Sequence, residues 1–298
     1  MKKLTLTALA CCLIFCLSAQ NNLLKKLPGK VKKQLSNMVF IKSDTLYKES
    51  GKSKIKDFYM AKYEVSNGDW QKFETAMRAK YGAEKARQFL PDTLVWRKQN
   101  NFNEPMVTHY YRHPAYRNYP LVGLSYTLIQ EYIKWKNDEA AALLKANNVT
   151  GYSVTYRLPT ANELEFVLQD KYNSALKNKR GDYTCNFNSN KDSTGVQRLG
   201  GVASRMNDNA DITAPVSSYW ANKLGIFNIR GNVAEWTSTA IQTFAADPKG
   251  VSYICKGGSW VDGPYYLQQQ TYKTEYADST NRKTGFRLVM NIVPVAQK

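Results

Sequence analysis

Histidine is nearly missing from this chain, since His109 and His113 are its only two. A metal centre built from three imidazoles is therefore excluded. The i,i+4 spacing of the pair would align both rings only on a helix. Pro114, directly after His113, disfavours helical backbone there, and no cysteine or glutamate completes a ligand set at a recognised spacing. Both read as ordinary loop histidines. Cysteine is also scarce. Of five, Cys11, Cys12 and Cys16 stand near the start, leaving Cys185 and Cys255 for the rest of the chain. These two allow one disulfide or two buried thiols, and the sequence leaves both open. After the N-terminal stretch no apolar run approaches the roughly 20 residues that a membrane-spanning helix needs. Acidic residues are outnumbered, 24 against 42 Lys and Arg, for a net charge of +18. That balance suits an anionic partner surface, on an acidic protein or an acidic glycan. The basic residues are spread along the chain and no standard nucleic-acid motif occurs, so no nucleic-acid partner is expected.

What is present begins with a processing signal. Lys2 and Lys3 precede the apolar run Ala8–Leu17, and Leu17-Ser18-Ala19 offers a cut before Gln20. This predicts a signal peptide over 1–19 and export to the periplasm or the outer-membrane periphery. The rival reading is lipidation of Cys11, after Ala8-Leu9-Ala10 and a very short apolar run. Residues 20–37 are basic and weakly amphipathic around Pro28-Gly29, the pattern of an arm lying on a partner or a membrane surface. The expected domain spans 38–293, with a tail at 294–298.

Within the domain, Ile55 to Val65 alternates like a strand, Ser66 follows as a helix N-cap, and Trp70 and Phe73 are spaced to face a core. Residues 76–119 read as a polar, aromatic, irregular insertion on the surface, the expected place for a partner. A turn at Gly123-Leu124-Ser125 opens a helix whose inner face is Ile129, Tyr132, Ile133 and the stem of Lys136. Thr160 and Glu163 form a capping box for a second helix. From about Gly181 the chain is loop-rich, broken by short strands such as YICKGG and GFRLVM. The fold class is α+β, irregular and loop-rich, with short strands and two main helices.

Five motifs, in order from Met38 to Met290, resemble one family: DFYMAKYEVSNGDWQKF, YPLVGLSYTLIQEYIKW, YRLPTANELEF, TAPVSSYWANKLGIFNIRGNVAEWT, and KGGSW with TGFRLVM. Together they resemble the formylglycine-generating enzymes, or sulfatase-modifying factors. The resemblance implies a compact C-type-lectin-like fold. It also implies oxidation of a sulfatase cysteine by oxygen and a copper ion held by two cysteines, two and seven residues past the aromatic of the Gly-Gly-Ser-Trp turn. Here that aromatic is Trp260, and the former catalytic positions hold Asp262 and Leu267. Copper(I) asks for soft thiolates, whereas aspartate is a hard donor and leucine has none. No copper is expected, and the oxidase chemistry is expected to be absent. Relatives that hold iron through three histidines are excluded by the histidine count.

The resemblance further implies structural Ca²⁺ at Asn228, Gly231, Val233 and Glu235, with a second site near Asn186, Phe187, Asp208 and Ala210. The alternative for Glu235 is a structural hydrogen-bonding carboxylate beside Trp236. The closing segment, from KGGSWVDGPYYL to GFR, is similar to that of exported noncatalytic members in the gliding-motility and type IX secretion machinery of Bacteroidetes. It departs from them at Gln270, Thr271 and Tyr272, where an arginine is usual. The function expected is therefore a noncatalytic scaffold or protein-binding component of the bacterial envelope. The expected partners are envelope proteins with acidic surfaces, with membrane association through the basic arm or a lipidated Cys11. The alternatives are a formylglycine-generating oxidase with displaced ligands, using Cys255, and a glycan-binding module.

Overall fold

The computed structural model describes residues 23–48, 51–97, 104–189, 212–241 and 250–295. The expected signal peptide and Cys11 lie outside them. A short helix, α1 (Gly29–Gln34), precedes strands β1 (Met38–Ile41), β2 (Asp44–Lys48), β3 (Gly51–Ile55) and β4 (Phe58–Ala61). Helix α2 (Asn67–Tyr81) follows, then α3 (Glu104–His109) and the long helix α4 (Tyr126–Ala146). Strand β5 (Tyr152–Arg157) leads into α5 (Ala161–Val167). The C-terminal part contributes β6 (Ala234–Ile241), β7 (Ser252–Lys256), β8 (Lys273–Tyr276), β9 (Thr284–Gly285) and β10 (Val289–Pro294).

Two four-stranded sheets and a hairpin result. The first sheet has the order β1-β4-β10-β5, the second β8-β7-β6-β9, and β2 pairs with β3 alone. All pairings are antiparallel except β6 with β9. The first sheet is buried on both faces, which follows from the period of two along its strands. Met290 stands opposite both Tyr59 and Tyr156, and these three face the main core with α2 and α4. Their neighbours Phe58, Met60 and Val289 face a second core built on Leu164, Phe166 and Val167 of α5.

The helices begin where the sequence signals them. Ser66 and Asp69 close a capping box on α2, and Thr160 and Glu163 close one on α5. Ser125 caps α4 through the amide of Leu128 at 3.3 Å. Trp70 stacks on Tyr132 at 5.1 Å between ring centroids and meets Phe73 and Phe286 edge-on. Ile129, Tyr132 and Ile133 are buried, while the Lys136 ammonium lies over the rings of Trp135 and Tyr156.

Two expectations concern the periphery. Residues 23–35 are no outlying arm. Leu23, Leu27, Val31 and Leu35, four residues apart, are all buried in the main core, and the Leu24 amide donates to the Tyr59 hydroxyl at 2.9 Å. The apolar side of this segment therefore faces the protein itself. Residues 76–119, expected as a surface insertion, are exposed over much of their described length but are also anchored in the core. Its first residues complete α2, and among its described residues Phe89, Trp96, Tyr110 and Tyr111 are buried. The Asn67 side chain ties it down, donating to the carbonyls of Tyr110 and Tyr116 at 2.9 Å each. These four aromatic residues, part of what made it look like a binding loop, are packing residues. Among the described residues no helix is long and apolar enough to cross a membrane.

Candidate functional site

The Gly-Gly-Ser-Trp turn leaves β7 with two successive residues in the left-handed region, Gly257 at φ 90° and Gly258 at φ 68°. A Cβ on Gly258 would lie 2.9 Å from both the Tyr266 carbonyl oxygen and Leu267 Cδ2. Only glycine fits there, because the loop carrying the former catalytic positions folds directly back onto the turn.

Asp262 is buried beneath this turn. Its Oδ2 accepts from the Ser259 amide at 3.0 Å and the Ser259 hydroxyl at 2.7 Å, and its Oδ1 pairs with the Lys273 ammonium. All of its charge is thus engaged within the fold. Leu267 is buried in a small apolar cluster with Cys185 and Phe187. That contact was invisible in the sequence, where Cys185 stands far from the motif. Cys185 and Cys255 are both buried thiols, with no disulfide between them. Cys255 packs in the main core with Trp236, and burial pushes its thiol far up, so it stays protonated. Asp262 and Leu267 therefore present one neutralised carboxylate and one hydrocarbon. A copper(I) ion wants two thiolates, and this donor set does not fit it.

The Asn228–Glu235 segment forms a second polar centre, wholly inside the protein. Both oxygens of Glu235 accept from Arg287, with contacts of 2.6 and 2.8 Å, and the two side chains are 2% and 0% exposed. Arg287 also donates to the carbonyls of Ala61, Lys62 and Phe227. Beside this pair lies Glu64. It accepts from Asn228 at 3.2 Å and from Asn232 at 2.8 Å. Burial pushes its carboxyl up to about 8, with Arg287 pulling back and Glu235 adding to the rise. Burial raises Glu235 too, against the same guanidinium. Asn232 further bridges the Ala214 amide and carbonyl at 2.7 and 3.1 Å. Gly231, at φ 77°, leaves no room for a Cβ, which would sit 2.2 Å from the Asn186 carbonyl oxygen.

For the expected calcium donors the arrangement divides. Asn228 turns its amide N–H groups toward Glu64, Pro215 and Val216, Val233 packs in an apolar cluster, and Glu235 is held by a buried cation. A dication does not fit that set, because its carboxylate is already neutralised at close range. The second set is different. Asn186 is buried and its Oδ1 has no hydrogen-bond partner, the kind of hard oxygen that Ca²⁺ takes. Phe187 is buried beside it, while Asp208 and Ala210 lie outside the described residues. Among the described residues no three His, Cys, Asp or Glu side chains gather as a metal cluster. His113 instead caps a short turn, accepting from the Ala115 amide at 3.2 Å.

Sequence reasoning marked Asp262, Leu267 and Glu235 but missed their partners. Glu64, Lys273 and Arg287 decide what those positions do. Glu64 and Arg287 stand inside the quoted KYEV and GFR motifs, so their places were visible and their roles were not. Lys256, the first residue of KGGSW, was missed as well. It is a buried lysine whose ammonium donates to the Thr271 carbonyl at 3.1 Å and lies 3.5 Å from Glu165.

Comparison with known proteins agrees with this geometry. Residues 25–292 match the model of the sulfatase-modifying factor enzyme 1-like domain. The chain belongs to this family. A formylglycine-generating enzyme of Mus musculus is 26% identical over 273 residues, covering 80% of this chain and 67% of that protein. Among solved structures, PvdO from Pseudomonas aeruginosa superposes with a TM-score of 0.52 at 16% identity, over 85% of this chain and 93% of its own. CarF gives 0.50 at 16% identity, over 87% and 98% respectively. Treponema denticola variable protein 1 gives 0.50 at 15% identity, over 85% and 94%. These three likenesses establish the shared sulfatase-modifying-factor-type fold and say nothing further about activity.

Proposed function

We propose that this family member is a noncatalytic scaffold or protein-binding component of the bacterial envelope, exported through its N-terminal signal. One observation carries the reading: the positions of the copper-binding cysteines are occupied by Asp262, neutralised by Lys273, and by Leu267, packed into an apolar cluster. The framework of the fold is kept while the donors that the oxidase chemistry needs are replaced by groups that close the site. The similarity to the closing segment of gliding-motility and type IX secretion proteins supports an envelope setting, and the net charge of +18 supports acidic partners. A structural Ca²⁺, in this reading, belongs with Asn186 and the segment after it rather than with Glu235.

Cross-linking with mass spectrometry on tagged chain in its native envelope tests the scaffold reading. Repeated links to secretion or motility components are expected. The enzyme reading is favoured by the likeness to the mouse formylglycine-generating enzyme, and the purified chain with a Cys-x-Pro-x-Arg peptide tests it. Conversion of the peptide cysteine to an aldehyde would overturn the noncatalytic proposal. Binding on a glycan array would point to the lectin-like alternative.

A further inference from the structure

A cavity of about 440 Å³ opens between the loop 173–185 and the segment 220–230. Its inner lining is apolar, with Cys185, Ile226 and Ile229 all buried. At its edge Trp220 stands 64% exposed, although it is the kind of residue a fold normally covers. The same lining carries Lys177 and Lys179, and Arg230 forms part of the wall. The Arg230 guanidinium donates to the Leu168 carbonyl at 3.0 Å and pairs with Asp170, yet its Nε is buried with no hydrogen-bond partner. A second cavity of about 580 Å³ shares Asn173, Ser174, Ala175 and Arg230 with the first and reaches Gln268–Gln270. The two share this wall, and the first is the depression that carries Trp220.

Charge and hydrogen bonding narrow the ligand. Along 170–182 the sequence holds four cations, Lys171, Lys177, Lys179 and Arg180, against Asp170 and Asp182. Lys171 pairs with Asp44 and Asp170 with Arg230, which leaves Lys177 and Lys179 as the cations lining the cavity. The asparagine amides lining the first cavity are already engaged inside the protein. Asn222 accepts from the amides of Leu224 and Ile226, Asn178 accepts from those of Arg180 and Asp182, and Asn173 donates to the carbonyls of Val167 and Gln169. A hydroxyl-rich sugar would find few uncommitted amides. What remains open is an indole, an apolar floor and ammonium groups.

We propose that this depression seats a short acidic segment of a partner protein carrying one large apolar side chain. The side chain fills the Ile226–Ile229 floor beside Trp220, and flanking carboxylates meet Lys177 and Lys179. The inference rests on the scaffold reading above and gives that reading a contact face. Buried aromatic anchors with a charged rim are how compact interfaces concentrate binding energy and steer encounter.

The probe is a fluorescein-labelled ten-residue peptide of alternating Glu and Ser with one central Phe, titrated by anisotropy into the full mature chain. Replacing the Phe by Ala, or Trp220→Ala in the protein, should weaken binding about tenfold each. The pair Lys177→Glu and Lys179→Glu should weaken it by about tenfold or more, with a shallower salt dependence. These positions are at the surface, and unchanged melting curves would exclude misfolding. The control pair Lys80→Glu and Lys85→Glu, elsewhere on the surface, should leave binding unchanged. Equal loss in the control, indifference to the Phe, no binding at all, or tighter binding of a sulfated oligosaccharide would each overturn the proposal. Repeating the envelope cross-linking with Trp220→Ala separates the two ideas. Links that persist unaltered keep the scaffold reading and discard the cavity. Absence of links from the unaltered chain refutes the scaffold reading while the peptide titration stands by itself.

Discussion

Two acidic side chains in this molecule are each matched to one cation, with very different consequences. Glu235 and Arg287 lie at the centre of the fold, and the guanidinium also satisfies three backbone carbonyls from two other segments. Asp262 and Lys273 lie near the edge, where the lysine is 21% exposed and the carboxylate otherwise serves one turn. The first pair joins distant parts of the chain; the second ties one turn to the neighbouring strand β8. A shared fold fixes the framework and does not by itself fix the chemistry of a site.

The sharpest way to break this contrast is Arg287→Met. It strands Glu235 and Glu64 in a dry interior and removes donors from the carbonyls of Ala61, Lys62 and Phe227. A loss of about 3–5 kcal/mol in urea unfolding is expected, and adding Glu235→Leu should recover part of it. Next comes Gly258→Ala, which forces a side chain into left-handed backbone against the Tyr266 carbonyl, with a cost of about 2–3 kcal/mol in the same measurement.

The edge pair should tolerate change better. Asp262→Cys combined with Leu267→Cys is expected to lower stability by only about 1–2 kcal/mol, the loss of a few hydrogen bonds and some packing. It should also let the chain take up copper(I), read by competition against a coloured chelator. A folded double variant that ignores copper would mean that more than the two residue identities has been lost.

The smallest effect is the pH dependence of Glu64. Its carboxyl ordinarily titrates near 4.5 and is raised to about 8 in the fold. The native state therefore holds a proton that the unfolded chain releases, so the contribution of Glu64 to stability is full below about pH 4.5 and is lost as pH rises through about 8. Glu235, raised by burial as well, works in the same direction. Glu64→Gln should flatten that fall by about 1 kcal/mol when unfolding is compared at pH 7 and 8. An unchanged slope would assign the pH dependence to other groups.

Much of the fold could be read from local chemistry. Ser66, Ser125 and Thr160 announced helix starts because capping is settled within four residues. Trp70, Phe73, Ile129, Tyr132 and Ile133 announced inward faces because helical period is local too. The misread regions were those where local pattern and tertiary role diverge. Leu23, Leu27, Val31 and Leu35 make an apolar stripe that suits a membrane, a partner or the chain's own core equally well. The aromatic residues of 89–111 look the same on a binding loop and in a packed interior. No spacing rule could have brought Cys185 to Leu267.

The sequence by itself determined the family, the places where helices and turns begin, and the absence of thiols at the copper positions, because each depends on which residue stands at which point of a motif. Only the tertiary structure decided that Glu235 answers to Arg287, that Asp262 is silenced by Lys273, and that Trp220 is left in the open above an apolar floor. Burial and charge pairing depend on residues far apart in the chain meeting in space, and a buried charge takes its character from whatever cation the fold sets against it.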